Sequence, residues 1–457
     1  MRKVGVTGAN GFIGQAVVSE LRRRGDYVRV LVRDPNRVSF PAGVEARQVD
    51  LLKEPPVAAV AGLDAVIHLA GETVAGRWTP SKKHAIEASR VQGTRNLVEA
   101  LRTAASRPLV LISASASGYY GDRDDEPLRE SSSPGGDFLA RVCVAWEAEA
   151  MTAQQVGARV VCLRQGLVLD AGGGALEQML PVFRWGVGGA LGTGRQWWPW
   201  IHREDAVRLF LHALDHEQLT GAVNAVAPDV ATNARFARAL GHAIRRPAFA
   251  AAPRTALRAM LGEFADTLLS SQLMLAFKAE DSGFVWRHPS LEEALLSINR
   301  SHRPPALQRF EQEQTVSATL PRVAAFFRDP GNLARLTPPA YQWRDVGKLE
   351  GPVQPGSVLE HQLRVHGVTV LWKSLITRWQ GDAGFTDAQV RGPFGFWRHR
   401  HAFAARDGGT LVRDMVDYGA PYAPIGDVVL PLVRRDIEQS FDYRKRRIAE
   451  LLSGDAP

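Results

Sequence analysis

Cysteine is scarce. Cys143 and Cys162 are the only two in 457 residues, too few for a disulfide framework and without the clustered spacing of a zinc site. Long apolar runs are missing too. No stretch approaches the roughly 18 apolar residues that a membrane-spanning helix needs. The opening MRKVGVTGAN turns polar and glycine-rich where a secretory signal would place its apolar core. A soluble cytoplasmic protein in a reducing compartment is the expectation. There is no internal repeat and no low-complexity tract. Nor is charge of one sign concentrated, although the net charge is +8 and the pI near 9.7. Residues 305–457 hold 20 Lys and Arg against 17 Asp and Glu, and residues 1–304 hold 36 against 31. The one basic run, Arg444-Lys445-Arg446-Arg447, is interleaved with Glu438, Asp442 and Glu450 as on a solvated helix face. Neither part is a basic module, so no nucleic-acid partner is expected.

What is present is ordinary globular composition, 45% hydrophobic and 23% charged, in a chain long enough for two or three domains. The clearest break is NRSHRPPALQ, residues 299–308, where helix-like LEEALLSIN meets polar residues and Pro304-Pro305. This predicts a domain over residues 1–300, a linker over 301–309 and a second domain over 310–457. Before the break, short β-branched runs (VGVTG, VRVLV, ARQVD, AVIHLA, LVLIS, VVCLR) alternate with helical patterns (GQAVVSELRRRG, GTRNLVEALRTA). That rhythm predicts an α/β Rossmann-like doubly wound parallel sheet. After it, strand-like stretches follow one another closely and the chain closes on helical VVLPLVRRDIEQSFDYRKRRIAELL, predicting an antiparallel α+β unit.

Gly8, Gly11 and Gly14 in TGANGFIG follow the first strand and open the first helix. Glycines there allow a tight turn and close approach to a pyrophosphate, and the helix N-terminus offers free N–H groups and partial positive charge. The second strand ends Val32-Arg33-Asp34. Arg33 stands beside the place where an acid would hold the 2'-hydroxyl of NAD, which favours the 2'-phosphate of NADP, with NAD the lesser candidate; Asp34 argues the other way. Asp50 at the end of ARQVD is placed to meet an adenine. In HLAGE, residues 68–72, small Ala70 and Gly71 let the backbone run close to a cofactor.

These stretches, with ISASASGYYGD, LRQGLVL and above all GGALGTGRQWWPWIHRED, resemble the extended short-chain dehydrogenase/reductases, in the atypical branch described as NAD-dependent epimerase/dehydratases or nucleoside-diphosphate-sugar epimerases. The resemblance runs from Met1 to about Asn299, with a substrate-side and tail segment over about 170–300. It implies cofactor contacts from Gly8, Gly11, Phe12, Ile13, Gly14, Arg33, Asp50, Leu69, Ala70, Gly71, Glu72, Ser113 and Arg164, a small-molecule substrate, and a homodimer of the kind common in the superfamily. Its usual chemistry needs a Tyr, a Lys four residues later and an orienting Ser. The helix that should carry the pair is DFLARVCVAWEAEA, where counting back from Glu147 puts Leu139 and Cys143 in their places; no other Tyr-x-x-x-Lys occurs. Ser115 remains as the orienting hydroxyl, with Tyr119 or Tyr120 as substitute proton donor or, alternatively, as packing. Arg195, Trp200 and His202 are candidate substrate contacts, to an anion, a ring and a proton; equally, Trp and His could pin the loop to the core. Gly172-Gly173-Gly174 reads as a lid or a plain connector.

From Phe310 to Leu452 the order of elements, with VRGPFGFWRHRHAF and VRRDIEQSFDYRKRRIAELL, resembles the START-like superfamily of polyketide-cyclase and lipid-transfer proteins. That implies a helix-grip fold around an apolar cavity and an apolar ligand. His399 and His401 share a strand face by period two, alongside His361 and His366. With Arg398 and Arg400 interleaved and no Cys or Asp obviously completing the set, solvated or cross-strand-paired histidines are expected and no metal. The leading expectation is an NADP-dependent oxidoreductase or epimerase-like enzyme fused to an apolar-ligand domain. The alternative is a non-catalytic NADP(H)-binding sensor.

Overall fold

A computed structural model describes residues 1–35, 40–298, 308–346, 352–354, 356–365, 367–394, 396–419 and 430–452. Contacts divide the chain into two units, Met1–His302 and Arg303–Pro457. Of the expected linker only residues 308 and 309 are described, and they open a strand. Among the described residues no helix is long and apolar enough to cross a membrane.

In the first unit seven strands form one sheet: β1 (Lys3–Thr7), β2 (Tyr27–Val32), β3 (Val44–Gln48), β4 (Ala65–His68), β5 (Val110–Ala116), β6 (Arg159–Gln165) and β7 (Gly221–Ala225). Their order is β7-β6-β5-β4-β1-β2-β3 and every pairing is parallel. Strands covered on both faces read as continuous apolar runs, which is why VRVLV and AVIHLA are legible. One face is covered by Val17, Val18 and Leu21 of α1 (Gly14–Arg23) together with Val207, Phe210 and Leu214. The other is covered by Leu97, Val98 and Leu101 of α2 (Pro80–Thr103) and by Ala150 of α3 (Phe138–Met151). The order reverses at β1, so the crevice beyond the carboxyl ends of β1 and β4 is where a doubly wound sheet binds its ligand. Helix α2 starts well before the GTRNLVEALRTA pattern, because Thr79 accepts the Lys82 N–H and Pro80 is preset for the first turn. A third core joins Trp198, Trp200, Phe236, Leu291 and Leu295 and fastens the tail segment.

In the second unit seven antiparallel strands lie in the order β8-β14-β13-β12-β11-β10-β9: β8 (Gln308–Val316), β9 (Arg344–Asp345), β10 (Val358–Val365), β11 (Val368–Trp379), β12 (Gly384–Arg391), β13 (Phe396–Arg406) and β14 (Gly409–Gly419). Strict alternation of buried and half-buried residues along β14 shows one face turned to a core. Two short helices follow β8, and the unit closes on α4 (Leu430–Leu452), whose Ile437, Phe441 and Ile448 pack among residues of the sheet.

Candidate functional site

The loop after β1 is built for close approach. Gly8 has φ +63°, and a Cβ there would lie 2.6 Å from the Leu69 carbonyl; at Gly14 it would lie 2.2 Å from the Gly8 carbonyl. Thr7 Oγ1 receives the N–H groups of Leu69 (3.1 Å) and Ala70 (3.2 Å), locking HLAGE against the glycine loop. His68, wedged between Thr7 and Thr94, is fully buried and pushed down to about 4 by burial, with Arg90 adding to the shift. Helix α1 begins with no side-chain cap and no acid in its first turn; the Gln15 N–H bonds the Gly11 carbonyl at 3.0 Å, while the N–H groups of Gly14 and Ala16 and the dipole stay available to an anion. Arg33 is exposed at the end of β2. Lys82, bonded to Glu72 at 2.7 Å, holds that carboxyl below its usual range, and Arg33 and Arg90 contribute, so the mouth of the crevice is cationic. Asp50 is spent locally, accepting the Leu52 N–H. Ser113, 1% exposed, gives its hydroxyl to the Ala114 carbonyl inside β5.

Beside this lies a buried polar cluster. Ser115 Oγ donates to Glu147 Oε1 (2.5 Å), and Arg164 grips Glu147 with two bonds of 2.9 and 2.8 Å. Although burial opposes its charge, Glu147 holds the guanidinium above its ordinary pKa. Arg164 also donates to the Tyr120 hydroxyl (2.9 Å) and the Glu130 carbonyl, and its guanidinium lies 3.4 Å from the Tyr119 ring centre. Arg164, expected on the cofactor, is thus the cation of an internal pair, because that is the only way to bury it at 3% exposure. Tyr120 does not serve as a proton donor either. It is fully buried, its hydroxyl bonds Asn224 Oδ1 (2.7 Å) and the Arg129 carbonyl (3.0 Å), and burial pushes its pKa up. Tyr119, half-buried against Arg164, is the tyrosine left. Leu139 and Cys143 pack under Gly118 on the turn that carries both tyrosines, and burial pushes the Cys143 thiol up to about 12.

Comparison with known sequences and structures agrees with this geometry. The pattern of the NAD dependent epimerase/dehydratase family matches residues 4–225, and that of a domain of unknown function, DUF1731, matches 252–298. An Arabidopsis thaliana relative, "Epimerase family protein SDR39U1 homolog, chloroplastic", is 38% identical over 65% of this chain and 86% of its own. The Mycobacterium bovis epimerase family protein Mb2239 is 39% identical over 64% of this chain and 96% of its own. The chain belongs to the NAD dependent epimerase/dehydratase family. The crystal structure of human epimerase family protein SDR39U1 with NADPH is 31% identical, covers 66% of this chain and all of its own, and superposes with a TM-score of 0.59. Both matched patterns fall inside the first unit.

Relative to the usual chemistry of this epimerase/dehydratase family, several expected contacts prove structural. Trp200 is 1% exposed and its indole N–H binds the Asp229 carbonyl at 2.7 Å, so it does not offer its face to a ligand. The indoles of Trp197 and Trp198 reach Asp125 and the Leu268 carbonyl in the same way. His202 caps the helix Arg203–Asp215, accepting the Glu204 N–H through Nδ1, and packs against His288 with ring centres 3.7 Å apart and planes tilted by 32°. Burial, then His288, pushes it down to about 4, below an ordinary imidazole. Arg195 stays exposed. Gly173 and Gly174 lie on the Phe12 ring, where a Cβ at Gly173 would come within 2.3 Å, so this segment closes over the glycine loop. Glu147 and Arg90 are the residues that sequence reasoning missed. Arg90 lies over the Trp146 ring (5.2 Å), bonds the Glu72 carbonyl and touches the Gly71 position. The signal for Glu147 was an acid on the apolar face made by Val142, Cys143, Trp146 and Ala150.

The second unit carries a half-open cavity of about 410 Å³ lined by Phe326, Trp343, Leu363, Trp372, Ile376 and Phe441 among others. His399 and His401, 5% and 3% exposed, are not solvated. They are paired across strands with Asp387 and Asp414, the acids that sequence spacing did not reveal. His361 stands apart from them, stacked on Trp343 with centres 3.9 Å apart. His366 lies outside the described residues.

Proposed function

We propose that the first unit binds NADP(H) and acts as an oxidoreductase or epimerase-like enzyme on a small carbonyl or alcohol, sugar-nucleotide-like compounds included. The second unit, START-like in its order of elements, binds an apolar ligand in its cavity. The observation that carries the reading is the uncapped α1 N-terminus over Gly8–Gly14, with Arg33 rather than an acid next to the tip of β2. A human relative solved with NADPH supports the choice of cofactor. Gly8, Gly11, Gly14 and the N-terminus of α1 would hold the pyrophosphate, Arg33 the 2'-phosphate, and Ala70-Gly71 would run beside the ribose. Bound there, the nucleotide supplies a hydride donor or acceptor. This chain's own residues would do the rest. Ser115, its proton given to Glu147 here, offers lone pairs to a substrate hydroxyl; rotated toward a carbonyl oxygen the same hydroxyl would donate to it, and the Tyr119 hydroxyl would carry the proton.

The test is a paired fluorescence titration with NADPH and NADH, repeated on Arg33→Ala. NADPH binding weakened selectively by about 10- to 100-fold is expected, the worth of a charged hydrogen bond. Equal binding of both nucleotides by wild type would refute the NADP reading. A second reading, a cofactor-binding sensor without turnover, is favoured by the engaged Tyr120 hydroxyl and by Leu139 and Cys143 where Tyr and Lys are usual. Turnover of any carbonyl that survives both Ser115→Ala and Tyr119→Phe would sink the role assignment. Tight NADPH binding with no turnover across a carbonyl panel would favour the sensor.

A further inference from the structure

Two imidazoles and two carboxylates meet at the polar end of the second unit's cavity. Asp387 on β12 lies directly across from His399 on β13, and His401, two residues on, lies across from Asp414 on β14. All four are at most 9% exposed, and Asp387, His399 and His401 line the cavity. His399 Nε2 bonds Asp414 Oδ1 at 2.9 Å, and His401 Nδ1 lies 2.8 Å from the same oxygen, though out of line for a good hydrogen bond. A nitrogen that close to a carboxylate oxygen must carry its proton there, since two lone pairs would repel. A neutral imidazole has one N–H, so the other nitrogen of each ring presents a lone pair.

Those two lone pairs converge on a third donor. His401 Nε2 is 3.5 Å and His399 Nδ1 3.7 Å from Asp387 Oδ2, and the ring centres are 3.8 Å apart. Such separations are too long for good hydrogen bonds. They are close to the roughly 3.4 Å between neighbouring donors around an ion with bonds of about 2.1 Å. Asp414 then stands behind both histidines as the carboxylate that fixes their tautomer, with the Arg444 guanidinium 3.9 Å away, which is how metal-binding histidines are usually supported.

We propose that Asp387, His399 and His401 form a binding site for a divalent transition-metal ion, zinc or iron(II), whose open positions face the cavity and accept an oxygen of the apolar ligand. A two-histidine, one-carboxylate set with a free face suits these ions, and dication, neutral imidazoles and one carboxylate leave a charge that an anionic ligand oxygen would balance.

The test uses the full chain, stripped with chelator and titrated with Co²⁺ in the visible, then with competing Zn²⁺. One strongly absorbing Co²⁺ per chain, displaced by Zn²⁺, is expected. Asp387→Ala and His401→Ala should each abolish the band, and Asp414→Asn should weaken binding by about 10- to 100-fold. His288→Ala, which disrupts the separate His202, Glu204 and His288 grouping of the first unit, should leave it intact. Absence of stoichiometric binding by wild type, or a band lost in His288→Ala but kept in Asp387→Ala, would overturn the proposal. Should the second-unit variants fail to fold, pulsed electron paramagnetic resonance of Cu²⁺-loaded His288→Ala decides, since that variant lacks the first unit's pair of imidazoles: two bound imidazoles are required, and one or none refutes the site.

Discussion

Replacing Glu147 with Leu tests whether the polar cluster beside the crevice is truly desolvated. The side chains of Arg164 and Glu147 are 4% and 11% exposed, and the pair is joined by two hydrogen bonds. Removing the acid leaves the guanidinium no charged partner, only the Tyr120 hydroxyl and the Glu130 carbonyl as hydrogen-bond acceptors and the Tyr119 ring face. It also takes the acceptor from Ser115. Stranding a buried charge in this way costs about 3–5 kcal/mol. For a unit of about 300 residues the unfolding entropy is about 0.6 kcal/mol/K, so Tm should fall by about 5–8 °C. Calorimetry of the full chain reads the shift, with hydrogen exchange of peptides from residues 110–165 assigning the transition to the first unit. The double variant Glu147→Leu/Arg164→Met removes both charges and should return to within about 1–2 kcal/mol of wild type, because a well-packed apolar pair can replace a buried ion pair at little cost. A drop below about 2 °C in Glu147→Leu, or a double variant worse than the single, would show that water reaches the pair and would refute the reasoning.

Tyr120→Phe should cost about 1–2 kcal/mol in chemical denaturation, because Asn224 Oδ1 loses its donor in the core, whereas Tyr119→Phe should stay within about 0.5 kcal/mol. Gly8→Ala should destabilise the first unit and abolish nucleotide binding together, since its φ is +63° and the Leu69 backbone blocks a Cβ; Gly11→Ala, which meets only the Gly8 carbonyl at 3.1 Å, should fold and change binding alone, as melting curves with and without NADPH would show. His68 is about 4 folded and about 6.5 unfolded, so between these values the unfolded chain holds the extra proton and stability falls on acidification. From pH 6.5 to 5 the loss is about 1.5 kcal/mol, and His68→Gln should flatten the slope of first-unit Tm against pH over that window. His202→Asn, which can still cap its helix, should melt like wild type, while His202→Ala should lose about 1 kcal/mol.

Where the fold was legible, the physics is local. Parallel strands covered on both faces leave unbroken runs such as VRVLV, and a turn into α1 requires glycine at position 8, so both could be read without knowing any partner. The first turns of α2 were not legible because PSKKH has no apolar period and is helical through its Thr79 cap. Residues whose roles depend on distant partners could be recognised by type only. The indoles around Trp200 announced anchoring or stacking equally well until their N–H groups met Asp125, Leu268 and Asp229. Asp387 and Asp414 sit on strands either side of the histidines, and only the sheet register turns four scattered residues into one cluster.

The departures around the usual Tyr-Lys pair share a direction. A lysine beside the tyrosine lowers the phenol's pKa and lets it take a proton from an alcohol; here that position is Cys143, a thiol that burial keeps neutral. Two arginines beside the cluster are already engaged: Arg164 with Glu147, Arg90 with the Glu72 carbonyl and the Trp146 face. Arginine does not give up a proton, so neither can relay one to or from a substrate. A tyrosine in such a setting gives its proton to an oxygen that is gaining charge more readily than it accepts one. On the enzyme reading, the chain therefore runs better as a carbonyl reductase, with Tyr119 protonating the product oxygen, than as an alcohol dehydrogenase. Assayed in both directions at neutral pH, reduction should lead, and Tyr119→Phe should slow reduction while leaving NADPH binding unchanged. A reductive rate unchanged in Tyr119→Phe would remove Tyr119 from the reaction.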